Sequence, residues 1–351
     1  MPKSLKRSRI IPVHKNGSRL DISNYRPISL LSYIDKILEK ALHRRIYDYL
    51  DKINFFCANQ FGFRENHSTE LALLSILQRI YNAIDSKEII IIIAIDFRKA
   101  FEVIKHDILI KKLEHIGIRG TMLEWFKSYL NDRYHQVLVN GSISDPLKAL
   151  TGVPQGSSLG PLLFLIYIND LQNVFSHDEL NIFADDTVLI IRGKCYETLI
   201  DVANSKLKTL QKYLNANGIR LNETKTEYMV LTNKIKRIDG YPEMKVIYDG
   251  RQIKKSETIK LLGINLDNKL TFRVHVQNLI SNKLRKFLPI LYRLRNVLSS
   301  KNLLKIYFAN INSLISCCLL FYQTGNFTNL VKLNNLQKRL LKIIFRYPHQ
   351  K

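Results

Sequence analysis

Cysteine is scarce in this sequence, and its spacing excludes two kinds of small domain. The four cysteines are Cys57, Cys195, Cys317 and Cys318, and none of them form the Cys-x-x-Cys spacing of a zinc knuckle. They do not suggest a disulfide framework either, so the sequence favours a reducing compartment.

Long hydrophobic runs and a signal peptide are also missing. The apolar run Ile89–Ile95 is far shorter than the roughly 20 residues that a membrane helix needs. Hydrophobic residues make up 46% of the chain and charged residues 24%, which is typical of a globular protein. We therefore expect an intracellular location, nuclear or cytoplasmic, with no secretion or membrane signal.

Acidic residues are absent from both ends of the chain. Six Lys/Arg precede Asp21 without an acid, and fifteen Lys/Arg follow Asp267 without an Asp or Glu. These two ends carry 21 of the formal net charge of +24. A nearly neutral body with basic ends is typical of a protein that binds nucleic-acid phosphates. A solvated or membrane-surface face is the alternative explanation of the charge.

Several segments predict strands and hairpins. The uniformly apolar run Ile89–Ile95 predicts a buried central strand. Asn140-Gly141 and Asp249-Gly250 are strong hairpin signals. Residues 227–231 and residues 259–266 predict two further strands. A glycine-rich loop is predicted between residues 151 and 161.

Helical spacing of apolar residues predicts the other elements. It runs through residues 34–49, residues 73–84 and, as a clear amphipathic pattern, from Tyr196 to Leu214. Ser68 or Thr69 is a suitable N-cap for the second of these helices. Beyond Thr271 the sequence is helical, basic and leucine-rich. The chain therefore predicts a mixed α+β body followed by an all-α basic domain.

Two adjacent aspartates, Asp185 and Asp186, separate the apolar runs Leu180–Phe183 and residues 188–191. Aspartate is disfavoured in strands, and two like charges side by side repel each other. A divalent cation such as Mg²⁺ would compensate this repulsion, because it prefers hard oxygen ligands. A plain turn is the alternative explanation, since Asp is a common turn residue.

Asp96 ends the predicted central strand in a similar way. If this strand lies beside the Asp185–Asp186 hairpin, three carboxylates converge. That arrangement suits two-metal phosphoryl or nucleotidyl transfer, in which the ions activate the attacking oxygen and stabilise the leaving one.

The blocks that contain these aspartates occur in a recognisable order. The three blocks are Asp96-Phe-Arg-Lys-Ala-Phe101, Gly152-Val-Pro-Gln-Gly-Ser-Ser-Leu-Gly-Pro161 and Phe183-Ala-Asp-Asp186. They resemble the palm motifs of reverse transcriptases from non-LTR retrotransposons of the LINE and jockey type. Four further blocks match finger and later palm motifs of that family, at residues 24–29, 60–64, 221–226 and 260–267. The resemblance spans about residues 9 to 275.

The resemblance implies an α+β right-hand polymerase fold with three parts. Residues 1–88 would form the fingers and residues 89–272 the palm, with a return segment of the fingers near 112–150. Residues 273–351 would form a helical basic thumb. The implied activity is RNA-directed addition of dNTPs to a primer 3′-OH, with an RNA template, a DNA primer and two Mg²⁺ ions, or Mn²⁺ in their place.

The resemblance also assigns roles at the reaction centre. Asp96 and Asp185 would ligate both metal ions, with Asp186 supporting them. Phe101 would stack under the sugar and exclude a 2′-hydroxyl, although a core aromatic is the alternative interpretation. Lys225 stands where the family places a general acid for pyrophosphate, and a solvated lysine is nearly as good an explanation.

Further assignments concern the nucleotide and the nucleic acid. Gln155 and Gly156 would line the nucleotide pocket, and Lys15 and Arg26 would reach the triphosphate. The implied nucleic-acid contacts are a primer grip at Leu262 and Gly263 and the basic helix residues Lys283, Arg285, Lys286, Arg293 and Arg295. We interpret His106 as structural.

The sequence departs from the family pattern in two respects. Glu102 stands where the family usually has Asp, and the endonuclease domain that these elements usually carry upstream is not in the sequence. We expect the full-length element to supply that domain. The alternatives are an inactive nucleic-acid-binding remnant, a group II intron maturase-like enzyme, or an RNA-dependent RNA polymerase. Phe101 and Ala184 disfavour the last of these.

Overall fold

The computed structural model describes residues 1–15, 17–176, 178–232, 245–323, 325 and 327–347. The strands are β1 Arg7–His14, β2 Tyr25–Leu30, β3 Ile89–Ile95, β4 Tyr134–Val139, β5 Ser142–Ile143, β6 Leu147–Lys148, β7 Leu180–Phe183, β8 Asp186–Gly193, β9 Glu227–Leu231, β10 Ile247–Tyr248, β11 Arg251–Gln252, β12 Lys254–Lys255, β13 Thr258–Leu261 and β14 Ile264–Asp267.

Helices account for much of the remaining chain. The α-helices are α1 Tyr33–Lys52, α2 Thr69–Asp85, α3 His106–His115, α4 Gly120–Leu130, α5 Gly160–Ile168, α6 Tyr196–Ala216, α7 Arg273–Asn278, α8 Phe287–Leu294, α9 Ser300–Ile306, α10 Ser313–Ser316, α11 Leu319–Tyr322 and α12 Phe327–Ile344. Shorter 3₁₀ segments are Lys3–Lys6, Ile22–Asn24 and Asn169–Val174, and π-helical turns are Leu279–Leu284 and Tyr307–Asn312.

A five-stranded sheet with the order β12-β9-β3-β8-β7 forms the centre of the molecule. Strand β3 pairs antiparallel with both β8 and β9. Its isoleucines alternate between two cores, with Ile91 and Ile93 on one face and Ile90 and Ile92 on the other, all fully buried. The predicted buried central strand is therefore confirmed, and its uniform hydrophobicity follows from helices covering both faces.

Helices α3, α4, α5 and α6 cover one face of this sheet. The amphipathic pattern of α6 is confirmed, because its apolar residues from Tyr196 to Leu214 are buried against the sheet. The other face is covered by α2, the β13–β14 hairpin and the C-terminal helices. Ser68 is the N-cap of α2, and its side chain accepts a hydrogen bond from the N–H of Leu71.

A second sheet joins distant parts of the chain. Its strand order is β2-β1-β4-β5, with β6 paired to β4. Strand β1 pairs antiparallel with β2 and parallel with β4, so that Arg7 lies opposite Tyr134. The N-terminal strands and the segment around residues 134–148 therefore form one structural unit. Asn140 and Gly141 form the predicted hairpin turn between β4 and β5, both with positive φ.

Residues 259–266 are a hairpin, so the prediction of a single strand was wrong. Strands β13 and β14 pair antiparallel, with Leu261 opposite Ile264. Leu262 and Gly263 form the turn, with φ values of 46° and 94°. Apolar residues on both sides of the turn hid it from the hydrophobic pattern, and Gly263 was its only local signal.

Helix α1 was predicted correctly, but the first half of its apolar face is not in the core. Ile34 is 63% exposed and Ile37 is 67% exposed. Asp35 and Glu39 are buried in their place. The hydrophobic spacing therefore identified the helix and not the side of it that is buried.

The C-terminal region is helical in the part that the structure describes, as predicted. The expected helix from Lys283 to Arg295 is interrupted, because a π-helical turn precedes α8. Residues 324, 326 and 348–351 of the predicted thumb lie outside the described residues. Within the described ranges, no helix combines the length and the hydrophobicity needed to cross a bilayer.

Candidate active site

The adjacent aspartates lie at a tight turn. Strands β7 and β8 pair with Phe183 opposite Asp186, which leaves Ala184 and Asp185 as the two central residues. Ala184 has a φ of 57°, as the first central residue of a two-residue hairpin turn does. Asp185 is thereby placed at the tip of the hairpin.

Asp96 lies beside this turn because β3 and β8 are neighbours. Their antiparallel register ends with Ile95 opposite Thr187, so the next step brings Asp96 level with Asp186. The Oδ2 atom of Asp96 accepts a hydrogen bond of 2.8 Å from the Nδ2 atom of Asn222. The strand arrangement that convergence of the three carboxylates requires is therefore present.

Asn222 was missed by the sequence analysis as a functional residue. Besides its side-chain contact, its backbone N–H donates to the backbone oxygen of Asp96 at 2.7 Å. The hydroxyl of Thr226 accepts from the backbone N–H of Asp96 at 3.3 Å. The only signal in the sequence was that both residues lie in the block at 221–226.

The carboxylates repel one another in a partly desolvated environment. Burial, with a contribution from the negative charge of Asp96, raises the pKa of Asp185 above its ordinary value. Burial and repulsion from Asp185 and Asp96 raise the pKa of Asp186 to about 6. The cations of Lys15, Arg26 and Lys260 oppose these shifts only in part. The site therefore has negative charge that nearby side chains do not fully compensate.

A cavity of about 340 Å³ opens at this charged edge of the sheet. Its lining includes five residues that the sequence analysis had assigned to the site, namely Lys15, Asp96, Asp186, Lys225 and Leu262. It also includes Glu227 and Lys260, which had not been assigned. Lys260 could have been found from the block at 260–267, which it begins.

The donor atoms at this site fit Mg²⁺, although the described side chains alone do not form a complete metal cage. Among the residues that the structure describes, no group of three or more His, Cys, Asp or Glu side chains could hold a metal ion unaided. Mg²⁺ is usually bound by one or two carboxylates together with water and substrate phosphates. Hard oxygen donors with uncompensated negative charge meet that requirement.

The glycine-rich loop lies between the aromatic Phe101 region and the N-terminal strands. The backbone oxygen of Gln155 accepts from the N–H of Ser29 at 2.7 Å. A Cβ atom on Gly156 would lie 2.8 Å from the oxygen of Ser29. Gly156 is therefore needed here for close packing of the loop on β2, which carries Arg26.

Glu102 has a partner in this loop. Its Oε1 atom accepts a hydrogen bond of 2.8 Å from the Nε2 atom of Gln155. Its backbone oxygen accepts from the hydroxyl of Thr151 at 2.9 Å. The longer side chain at this position thus contacts Gln155 directly. His106 also holds the loop, through a 2.8 Å contact between its Nε2 atom and the oxygen of Gly152.

Phe101 is partly buried and belongs to an aromatic cluster. Its ring stacks on Phe164 with centroids 5.0 Å apart, and it meets the edge of Phe63 at 6.3 Å. Phe63 is 49% exposed, so the cluster reaches the surface. Phe101 therefore has a core contact on one side and a route to solvent on the other.

The chain matches a known family over most of its length. The family model described as "Reverse transcriptase (RNA-dependent DNA polymerase)" matches residues 13–266. The chain belongs to the reverse transcriptase family. This match confirms the resemblance that the ordered motifs indicated.

Curated relatives of this chain come from mobile elements. The chain is 29% identical over 361 residues to the RNA-directed DNA polymerase from mobile element jockey of Drosophila melanogaster, covering 99% of this chain and 38% of that protein. It is 32% identical over 284 residues to the probable RNA-directed DNA polymerase from transposon BS of the same organism, covering 79% of this chain and 31% of that protein. The chain thus spans less than two-fifths of the length of these relatives.

Solved structures confirm the fold class of the chain. The structure of apo telomerase from Candida tropicalis is similar with a TM-score of 0.53 at 14% identity, over 97% of this chain and 57% of that chain. At this identity the likeness concerns the fold alone. It confirms the predicted right-hand polymerase fold.

Of the residues predicted to contact nucleic acid, Leu262 is in the lining of the aspartate cavity and the basic residues of the C-terminal helices are not. Leu284 and Leu291 are fully buried beneath the basic residues of the C-terminal helices. Lys283, Arg285, Lys286 and Arg293 are exposed, and Arg295 lies over the ring of Tyr292 at 5.0 Å. The expected division into an apolar face and a basic face is therefore present.

Proposed function

We propose that this chain catalyses template-directed addition of dNTPs to a primer 3′-OH, with RNA as the template. The observation that carries the proposal is the placement of Asp96, Asp185 and Asp186 at the adjoining ends of β3, β7 and β8. Their charge is incompletely compensated, and Asp96 and Asp186 line a cavity that three lysines also line. Family membership supports this reading.

In this proposal Asp96 and Asp185 hold two Mg²⁺ ions, with Asp186 supporting them. When bound, such ions activate an attacking hydroxyl and stabilise a leaving phosphate oxygen. Asn222 keeps the Asp96 carboxylate in one orientation through its hydrogen bond. Mn²⁺ would substitute for Mg²⁺, since both accept carboxylate and water ligands.

The cations around the cavity complete the proposed mechanism. Lys15 and Arg26 bind the triphosphate and offset the charge that develops on it. Lys225 lines the same cavity and donates a proton to the departing pyrophosphate. Lys260 is the fourth of these cations, and its positive charge, like that of Lys15, acts on Asp186.

The nucleotide and nucleic-acid sites follow from the loop and hairpin geometry. Gln155 and Gly156 bound the nucleotide pocket, and the exposed side of Phe101 excludes a 2′-hydroxyl. Leu262 and Gly263 contact the primer from their hairpin turn, which adjoins the cavity. The basic residues of the C-terminal helices contact the phosphates of the template and primer.

The proposed division into fingers, palm and thumb has structural support. Residues 1–88 form the fingers together with the return segment near 112–150, which is supported by the pairing of β1 with β4. Residues 89–272 form the palm and residues 273–351 the thumb. The endonuclease activity would come from another part of the full-length element, and the location would be intracellular.

The test is primer extension on an RNA template with purified protein. We expect incorporation of dNTPs and not NTPs, dependence on Mg²⁺ and inhibition by EDTA. Asp185→Asn should lower kcat by roughly a hundredfold to a thousandfold, because it removes a charged metal ligand from the reaction centre. Asp201→Asn is the matched control, since Asp201 is an exposed aspartate of α6 and is not part of the cavity lining.

Two results would contradict the proposal. Incorporation that survives in Asp185→Asn would place the reaction centre elsewhere. Absence of incorporation by the unaltered chain, with salt-sensitive RNA binding retained, would identify an inactive nucleic-acid-binding protein.

A further inference from the structure

The loop between α1 and α2 packs against the aspartate turn. Gln60 in this loop is 2% exposed. Its side-chain Oε1 atom accepts two backbone hydrogen bonds, from the N–H of Ala184 at 3.1 Å and from the N–H of Gly62 at 2.8 Å. One amide oxygen therefore connects the loop to the first central residue of the turn that carries Asp185.

The same loop is bonded to the edge of the central sheet. The N–H of Phe61 donates to the oxygen of Ile182 at 2.8 Å, and the N–H of Ile182 donates to the oxygen of Asn59 at 2.8 Å. Gln60 and Ile182 thus form a parallel bridge along β7, which is an edge strand of the sheet. These bonds fix where the Gln60 side chain stands relative to the turn.

Gly62 allows the loop to approach the turn closely. A Cβ atom at this position would lie 2.3 Å from the backbone nitrogen of Ala184 and 2.9 Å from the carbonyl carbon of Phe183. Real Cβ atoms do not approach backbone atoms so closely, so only glycine fits without displacing the turn. The contact between loop and turn is therefore made by backbone on both sides.

The turn needs this support because of its sequence. Ala184 has a φ of 57°, a left-handed conformation that costs an L-residue with a Cβ atom free energy and that glycine adopts readily. Hairpin turns with positive φ at the first central position favour Gly or Asn there. An acceptor fixed opposite the Ala184 N–H stabilises the conformation that the alanine itself disfavours.

We propose that Gln60 is a positioning residue for the reaction centre. It holds Ala184 in the left-handed conformation and thereby sets the position of Asp185 relative to Asp96. Its effect on catalysis rests on the proposed polymerase function, whereas its effect on the turn does not. Gln60 touches no reacting atom and acts only through the backbone of the turn.

The direct test measures the conformation of Ala184 in the intact chain. In protein labelled with ¹³C-alanine, the Cα and Cβ chemical shifts of Ala184 report its φ. We expect Gln60→Met, which keeps the side-chain length and removes the acceptor, to move these shifts away from left-handed values or broaden the signals. The matched control is Asn169→Leu. Asn169 makes two hydrogen bonds to the start of the same loop, to Cys57 and Phe55, and none to the turn.

The functional test measures Mn²⁺ binding by electron paramagnetic resonance and catalysis by primer extension. Gln60→Met should weaken Mn²⁺ binding and lower kcat by roughly tenfold, the effect of about one hydrogen bond, with KM for dNTP changed less than threefold. Ala184→Gly should restore most of the loss when combined with Gln60→Met, because glycine favours the turn unaided. Thermal melting of each variant establishes that the compared proteins are folded.

The outcomes separate this inference from the proposed function. Unchanged Ala184 shifts in folded Gln60→Met would overturn the inference, even if the chain polymerises DNA. Gln60→Met could also lower kcat and Mn²⁺ affinity equally with and without Ala184→Gly. That result would overturn the inference, because the hydrogen bond would then act elsewhere. Altered shifts in a chain that incorporates no dNTP would uphold Gln60 as a determinant of the turn and reject the polymerase.

Discussion

Glu39 shows how a buried charge joins three elements near the nucleotide loop. It is fully buried in α1, and its Oε1 atom accepts a 2.7 Å hydrogen bond from the hydroxyl of Tyr129. Its Oε2 atom accepts a 2.6 Å bond from the N–H of Ser158. The guanidinium of Arg133 lies 4.7 Å from the Tyr129 ring. Glu39 therefore ties α1 and α4 to the loop that carries Gln155.

Asp35, one turn earlier, is buried less favourably. It is 1% exposed, and the structure gives its carboxylate oxygens no hydrogen-bond partner. Its nearest cation is the Nη2 atom of Arg133 at 3.6 Å. Burial first, and then the negative charge of Glu39, raise the pKa of Asp35 to about 6 despite this cation. Asp35 therefore has one buried guanidinium beside it and a second carboxylate that repels it.

This arrangement predicts a pH dependence of stability. Because the pKa of Asp35 is higher in the folded state, the folded chain binds more protons between about pH 4 and pH 6, and stability falls as the pH rises through that window. Asp35→Asn should remove this fall, which we expect to be roughly 1–3 kcal/mol of unfolding free energy in the unaltered chain. Urea unfolding at pH 4.5 and pH 7 measures both effects.

Glu39→Gln is the comparison for this experiment. It should destabilise the protein at both pH values by about 1–3 kcal/mol, because it weakens the buried hydrogen bonds from Tyr129 and Ser158. A pH dependence that persists unchanged in Asp35→Asn would assign the effect to another group.

At the scale of elements, the β13–β14 hairpin has a strained turn. Leu262 has a φ of 46°, which is uncommon for a large side chain, and it lines the aspartate cavity. The Asn-Gly pair is the usual choice for a two-residue turn of this kind. We infer that the Leu262 side chain has a use other than turn formation, because it combines this strained conformation with a place in the cavity lining.

Replacing this leucine should separate stability from activity. Leu262→Asn is expected to stabilise the hairpin by about 1 kcal/mol, since asparagine tolerates the left-handed region. We expect primer extension to fall several-fold, with KM for the primer raised, because the apolar contact with the primer is lost. Thermal melting and steady-state kinetics on a primer titration measure the two effects. A variant that is more stable and fully active would remove Leu262 from the primer contact.

The elements that were predicted well are those whose apolar residues follow a single pattern of burial. Helix α6 packs a single apolar face on the sheet, so its spacing from Tyr196 to Leu214 identified both the helix and its buried side. Strand β3 is buried on both faces and was recognised from uniform hydrophobicity. The apolar spacing of helix α1 did not identify its buried side, because two acidic residues are buried there. Asp35 lies beside Arg133, and Glu39 accepts a hydrogen bond from Ser158, both of which are distant in sequence.

At the candidate site, too, local sequence patterns were informative and contacts between distant residues were not predictable. The positions of Asp96, Asp185 and Asp186 could be predicted because each ends or interrupts an apolar run and stands in an ordered motif. The contacts that orient them could not, because they join residues distant in sequence. Gln60 and Ala184 are 124 residues apart, and Asn222 and Asp96 are 126 apart. Nothing in the local pattern shows which side chains meet.

At the scale of the whole molecule, the charge is concentrated where the proposed function needs it. The segment after Asp267 has no acidic residue, and most of its described lysines and arginines lie on helices packed against one face of the sheet. Phosphate neutralisation by such residues makes binding steeply dependent on salt. The basic helices should therefore contribute to the affinity for nucleic acid and not to the chemistry.

A triple substitution tests this expectation. Replacing Lys283, Arg285 and Lys286 by glutamine should weaken RNA binding and reduce the slope of log K against log salt concentration by up to roughly 2–3. The control replaces three exposed lysines on or near α6 by glutamine, which changes the net charge equally: Lys194, Lys208 and Lys212. Fluorescence anisotropy at several salt concentrations gives the slopes. Equal reductions in both variants would show that only total charge matters.

The central strand has a consequence for synthesis of the chain on the ribosome. The five consecutive isoleucines of β3 pair with β8, which begins at Asp186, and with β9, which begins at Glu227. At about 5–20 residues per second, β3 waits roughly 5–30 seconds after it emerges before both neighbours exist. An uncharged, β-branched segment of this kind aggregates readily while it is unpaired. The central strand of the folded protein is therefore the segment of the nascent chain that is most prone to aggregate. We expect the yield of folded protein to depend on how well chaperones protect this segment.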